Sequence, residues 1–281
     1  MPLSGWDAAA LFAKAATYAA TLAAAGCVFF LAYSEDLLQN ADCTRIRRLI
    51  GVSLAASAMA SAATFLLLGM FDATLTGMLL RGGEGRASGI RMAGVALAAF
   101  AVFPRRSYRA PAIIGAIAAA TSFAWVGHVH ALRPNTLPAL LLCLHLLCAA
   151  FWLGALAPLL LVARHGSGAR IGLITARFGA AALRLVAVLV VAGATLLWIM
   201  ISDAAKFWGS DYGRLLATKL VAVILLLSIA AMNKLYLTPR LLLGDAGAAG
   251  ALRRSIKAEM VLGGLVLLIT AAFTTITGPP H

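Results

Sequence analysis

The sequence predicts an all-α polytopic membrane protein of eight transmembrane helices. Three observations carry that expectation. Of 281 residues, 62% are hydrophobic and 12% charged, whereas a soluble domain is about 45–50% apolar and about 25% charged. The mean hydropathy is +0.95. The apolar residues also fall into long runs separated by short basic segments, the pattern of membrane spans and their topology signals. This composition leaves no polar skin for a soluble enzyme and too few charges for a disordered chain.

Crossing the hydrocarbon core takes about 20 apolar residues. Candidate spans lie at residues 8–33, 46–71, 89–104, 111–131, 137–163, 177–201, 213–237 and 254–277. The third is the shortest, with only 92–104 free of charge between Arg91 and Arg105; a snorkelling Arg91 lengthens it. With the N-terminus outside, 14 of the 23 Lys and Arg residues fall in inner loops and 6 in outer loops. The positive-inside rule then puts both termini outside. Met1 to Asp7 contain no basic residue, so the first span is expected to be retained rather than cleaved as a signal peptide. The net charge of +13 is read as facing anionic lipid, not nucleic acid.

The two halves resemble each other. Ala62-Ala63-Thr64 running to Asp72-Ala73 matches Gly193-Ala194-Thr195 running to Asp203-Ala204, and Arg105-Arg106-Ser107 matches Arg253-Arg254-Ser255. The expected organisation is one membrane domain of two tandem four-helix halves, residues 1–131 and 137–281. Each half has an even number of spans, so the halves share an orientation and are related by a pseudo-two-fold along the membrane normal.

Polar residues within spans are costly and point to function. His128 and His130 close the fourth span at its outer end, and His145 lies about two turns into the fifth. His281 ends the chain and matches the fourth-span histidines in the repeat. Cys148 follows His145 by three residues, on the same helical face. Met70, Met78, Met200, Asp72 and Asp203 fall at the outer face in this topology. Imidazole with soft sulfur suits copper(I). The predicted metal ligands are therefore His128, His130, His145, Cys148, Met70, Met78, Met200 and His281, with Asp72 and Asp203 beside them. Lys14, Arg184, Lys219 and Glu259 are span charges for which snorkelling is the default expectation, although Arg214 already occupies the outer interface that Lys219 would reach. The chain has no C-x-x-C, H-E-x-x-H, G-x-S-x-G or Walker sequence, so a non-enzymatic role is expected.

The run Leu144-His145-Leu146-Leu147-Cys148-Ala149-Ala150-Phe151-Trp152-Leu153-Gly154 resembles a segment of the CopD/PcoD family of copper-resistance inner-membrane proteins. So do Tyr212-Gly213-Arg214-Leu215-Leu216-Ala217-Thr218-Lys219, the later Asn233-Lys234 and Pro239, and the stretch from Arg253 to Glu259. The resemblance is strongest over about residues 125–277. It implies a multi-pass protein of the bacterial inner membrane that moves copper inward from the periplasm, with a periplasmic CopC-like protein as partner. It puts forward His145, Trp152, Tyr212 and Lys219 as motif positions, and Gly154 as a helix-packing position. Two alternatives stand beside it: a b-type haem protein with axial histidines, and a copper sensor or docking protein that carries no flux.

Overall fold

The computed structural model describes residues 5–69, 83–125, 136–200 and 211–275. These are helical and contain no strand. Helix α1 is Gly5–Ser34 and α2 Asn40–Gly69. Helix α3, Gly83–Ala98, continues as a 3-10 segment Ala99–Val102, and α4, Arg109–Thr121, as Ser122–Trp125. Helices α5 and α6 are Thr136–His165 and Gly168–Met200. Helix α7 starts at Asp211–Met232, widens into a π-helical turn, Asn233–Leu237, and ends with Thr238–Leu242. Helix α8 is Ala246–Thr275.

Six of these helices are long and apolar enough to cross a membrane: α1, α2 and α5 to α8. The third and fourth expected spans fall on α3 and α4, of 16 and 13 α-helical residues. At about 1.5 Å per residue neither α-helical stretch alone covers a bilayer core of about 30 Å. Several helices extend past the expected spans. Helix α6 starts at Gly168 rather than 177, and α8 at Ala246 rather than 254. Hydropathy marks the part of a helix that belongs in lipid, whereas backbone hydrogen bonding continues through the polar flanks.

The centre of the bundle is the crossing of α1 and α5. A Cβ on Gly154 would lie 2.6 Å from Gly26 Cα and 2.6 Å from Leu22 O. Only glycine lets the two backbones approach this closely. Pro158 sits inside α5 and has no N–H for the carbonyl of Gly154, four residues before it. Cys27 supplies the missing donor: its thiol reaches Gly154 O at 3.5 Å. Around this crossing α1 packs on α2, α4 and α8, while α5 packs on α6, α8 and α4. The α3–α4 pair uses the same device, since a Cβ on Gly94 would lie 2.7 Å from Gly115 O.

The four turns that join α1 to α2, α3 to α4, α5 to α6 and α7 to α8 form one basic end. Glu35 pairs with Arg47 at 3.0 Å and with Arg109 at 3.9 Å; Asp36 pairs with Arg177 at 2.5 Å, and Asp42 with Arg170 at 2.5 Å. Phe151 stacks on Phe178 beneath these pairs. Gly244, at φ +81°, turns α7 into α8 in the left-handed conformation that glycine adopts without strain.

The Asp42 carboxylate is 1% exposed, so Asp42→Ala strands the Arg170 guanidinium. Breaking such a pair costs about 3 kcal/mol. We expect a clear fall in the apparent melting temperature of detergent-purified protein. Asp36→Ala, at an exposed pair, should shift it far less.

Arg91 does not snorkel as expected. It is 5% exposed, lies 4.8 Å over the Phe123 ring and donates to Ser88 Oγ at 3.1 Å. With α3 packed on α4 and its 3-10 extension, the guanidinium is held against an aromatic face inside the bundle.

Candidate functional site

Two polar centres lie along one side of α5, in the half of the bundle formed by α5 to α8. The first is His145. Its position ten residues into α5 puts it about 14 Å from Thr136 along the axis. The half-buried ring lies against α6, with Nδ1 3.2 Å from Leu189 O. A Cβ on Gly193 would lie 3.3 Å from the ring, so this glycine makes room for the imidazole. A ring whose Nδ1–H donates to a backbone carbonyl keeps its lone pair on Nε2, the arrangement seen in histidines that bind metals. Cys148 is buried one turn below and is a free thiol. Lys219 of α7 is half-buried and is the charged group that acts on His145 electrostatically.

The second centre was not expected. Trp152 lies two turns below His145 on the same face of α5 and is 4% exposed. Its indole N–H donates to the carboxylate of Glu259 on α8. Asn233, at the start of the π-helical turn, donates its side-chain N–H to Glu259 Oε1. Thr238 closes that turn by donating its hydroxyl to Asn233 O at 2.8 Å. The wide turn interrupts the α-helical register of α7 where Asn233 faces inward; π-turns recur at functional sites. Glu259 is 3% exposed and Asn233 is 7% exposed. Glu259 thus points into the bundle and does not snorkel. Its buried neighbours along α8 are Leu252, Ile256 and Gly263, at the spacing of one helical face.

A cavity of about 320 Å³ adjoins this second centre between α5, α6, α7 and α8. Its polar lining includes Thr175, Asn233, Lys234 and Glu259. Lys234 crosses it, donating from Nζ to Gly179 O at 2.9 Å.

Much of the expected ligand set lies outside the described residues: His128, His130, His281, Met70, Met78, Asp72 and Asp203. The side chains of Met200 and Tyr212 are also outside them. Among the described residues, no three His, Cys, Asp or Glu side chains gather as a metal site, so His145 and Cys148 stand without a described third ligand. The two described histidines, His145 and His165, lie at different ends of α5, about 30 Å apart by helix rise. Among the described residues no second histidine is placed to share a haem with His145. Cys27 is committed to Gly154 O and takes no part in the site.

Lys14 reaches Thr274 O on α8 at 3.2 Å and so ties the two helices together. The repeat-related threonines both bond their own helix, Thr64 at Ala60 O and Thr195 at Val191 O, and Thr64 also meets Thr17 Oγ1 at 3.1 Å.

Residues 172–273 match a family model described as "CopD: Copper resistance protein D". No curated protein and no solved structure matches the chain. The matched region runs from α6 through most of α8. It contains Lys219, Asn233 and Glu259, and begins after His145, Cys148 and Trp152.

Proposed function

We propose, from the match of residues 172–273 to the copper resistance protein D family model, that this multi-pass membrane protein moves copper inward across the bacterial inner membrane. The observation that supports the reading is the seat of His145. A half-buried imidazole, oriented by Leu189 O over Gly193, presents one ring nitrogen to a metal arriving from the end of the bundle opposite the basic turns. In this reading His128, His130, Met70, Met78, Met200 and His281 supply the outer mouth. Cys148 supplies soft sulfur below it, and Asp72 and Asp203 attract the cation. Copper(I) is the form that such nitrogen and sulfur donors favour. A periplasmic CopC-like protein is the proposed donor.

Eight spans and outward termini belong to the same proposal. So do the two four-helix halves, 1–131 and 137–281. The packing supports the halves: exchanging α1 with α5, α2 with α6 and α4 with α8 carries the neighbours of α1 onto those of α5. The central contact between the halves is then the α1–α5 crossing, and copper passes beside it.

Uptake of copper(I) into proteoliposomes tests the proposal. Flux above that of protein-free vesicles, lost when the outer histidines are replaced by alanine, is the expected result. Bound copper without flux would replace transport with the sensing or docking role.

A further inference from the structure

We propose that Glu259 is an intramembrane proton-binding site, loaded and unloaded through the cavity between α5, α6, α7 and α8. Its carboxylate oxygen takes a proton from hydronium in that cavity, leaving water. The reverse step returns the proton to water by the same route. Copper is not needed for this exchange, so the inference stands apart from the transport reading.

Three observations carry it. A carboxylate 3% exposed sits within a membrane helix with no cation on it among the described residues. Its described partners are the neutral groups Asn233 and Trp152. A buried carboxylate without a counter-charge is costly, and proton uptake removes that cost. Second, Asn233 is a partner for both charge states. Its amide N–H donates to the carboxylate, while its buried Oδ1 has no hydrogen-bond partner. Rotation of the amide by half a turn offers that oxygen to the O–H of the carboxylic acid. Third, the cavity of about 320 Å³ reaches the pair, large enough for several waters at about 30 Å³ each.

The donor set favours a proton over a metal ion. Hard cations take about six oxygen ligands, and copper(I) takes sulfur or nitrogen. Here one carboxylate accepts from the N–H groups of Asn233 and Trp152, which would repel a metal.

Apart from Lys234, which lines the same cavity, the charged and titratable groups of the surrounding helices are held elsewhere. On α7, Lys234 is tied to Gly179 O, and Lys219 lies about 21 Å along the helix from Asn233. On α5, Cys148 and His145 lie one and two turns above Trp152. On α6, Arg170 and Arg177 pair with Asp42 and Asp36 at the basic end, and Arg184 is exposed. On α8 itself Arg253 donates to Ala163 O, and Lys257 is exposed. On α1, Lys14 is on Thr274 O, Cys27 on Gly154 O and Tyr33 on Arg177 O, while Tyr18 meets Thr274 Oγ1.

The test is covalent labelling of the full-length protein in detergent with dicyclohexylcarbodiimide, read residue by residue by mass spectrometry. This apolar reagent adds to protonated carboxyls in apolar surroundings. Labelling at Glu259 should fall at least about tenfold between about pH 6 and about pH 9, as the protonated fraction drops. Glu35, half-exposed and paired with Arg47, should stay unlabelled in the same digest. Absence of label at Glu259, or a level constant across that range, overturns the proposal. Protection by sodium or potassium at fixed pH also overturns it, in favour of a metal-cation site. The wild-type reading does not depend on whether Glu259→Gln folds; where that variant does fold, the label at this position should vanish.

Discussion

Gly154→Leu should abolish recovery of folded protein, and Gly154→Ala should leave it folded but strongly destabilised. The alanine Cβ would sit 2.6 Å from both Gly26 Cα and Leu22 O. These are backbone atoms and move only if α1 and α5 separate. Overpacking a core costs about 1–3 kcal/mol where side chains can yield; here none can, so the alanine variant belongs at the upper end or above. Separating the helices also stretches the thiol contact from Cys27 to Gly154 O, the substitute for the hydrogen bond that Pro158 cannot make. The comparison is Gly264→Ala on α8, where nothing lies within 4 Å of the new Cβ and alanine is the better helix former by about 1 kcal/mol. Gel-filtration profiles and melting curves in one detergent separate the two. Equal melting temperatures for Gly154→Ala and Gly264→Ala would show that the crossing is not the central packing contact.

His145→Ala should weaken copper binding by at least about 10- to 100-fold, the loss that even an outer partner of a metal ligand typically produces. His145→Gln keeps an N–H for Leu189 O and most of the volume, so its melting temperature should match wild type while its copper affinity falls. Gly193→Leu provides an independent check. It leaves the imidazole in the chain but fills the space that the ring occupies over α6, and copper affinity should fall between wild type and His145→Ala. Titration of purified protein with copper(I) against a competing chelator measures all four. An affinity unchanged in His145→Ala would remove this residue from the copper site, and the reading of the outer half would then rest on residues outside the described structure.

These variants separate what was legible in the sequence from what was not. The long helices were legible because lipid demands an unbroken apolar run, and such a run is visible without knowing its neighbours. His145 stood out because an imidazole in an apolar helix is rare enough to need a reason, and Gly154 only through the resemblance of its segment to the CopD/PcoD family. Glu259 was visible as a charge, but its direction was not. Beyond Glu259 helix α8 is apolar all round as far as Ile269, so no polar stripe marks which face turns inward. The following Met260 and Val261 are exposed while Glu259 is buried, a distinction one residue wide. Asn233 was visible as part of the family resemblance, but its place opposite Glu259 was not, for a different reason. A π-helical turn shifts the register of everything after it, and a reading at 3.6 residues per turn misplaces the face. Arg91 was misjudged because snorkelling presumes lipid around the helix, and Phe123 occupies that place.

The sequence by itself determined a membrane protein of long helices with one basic end, and a histidine and glycine pair of interest on the fifth expected span. The helices, the basic end and the histidine follow from composition and spacing, which the bilayer reads directly; the glycine was put forward by the family resemblance. Only the tertiary structure decided that Glu259, Asn233 and Trp152 meet beside a cavity, that Cys27 serves the carbonyl left free by Pro158, and that Gly193 seats His145. Each of these joins residues far apart in the chain, and the apolar helices that carry them do not announce their facing sides. Their rotation is set by backbone approach at glycine and by the few buried polar groups that must find partners.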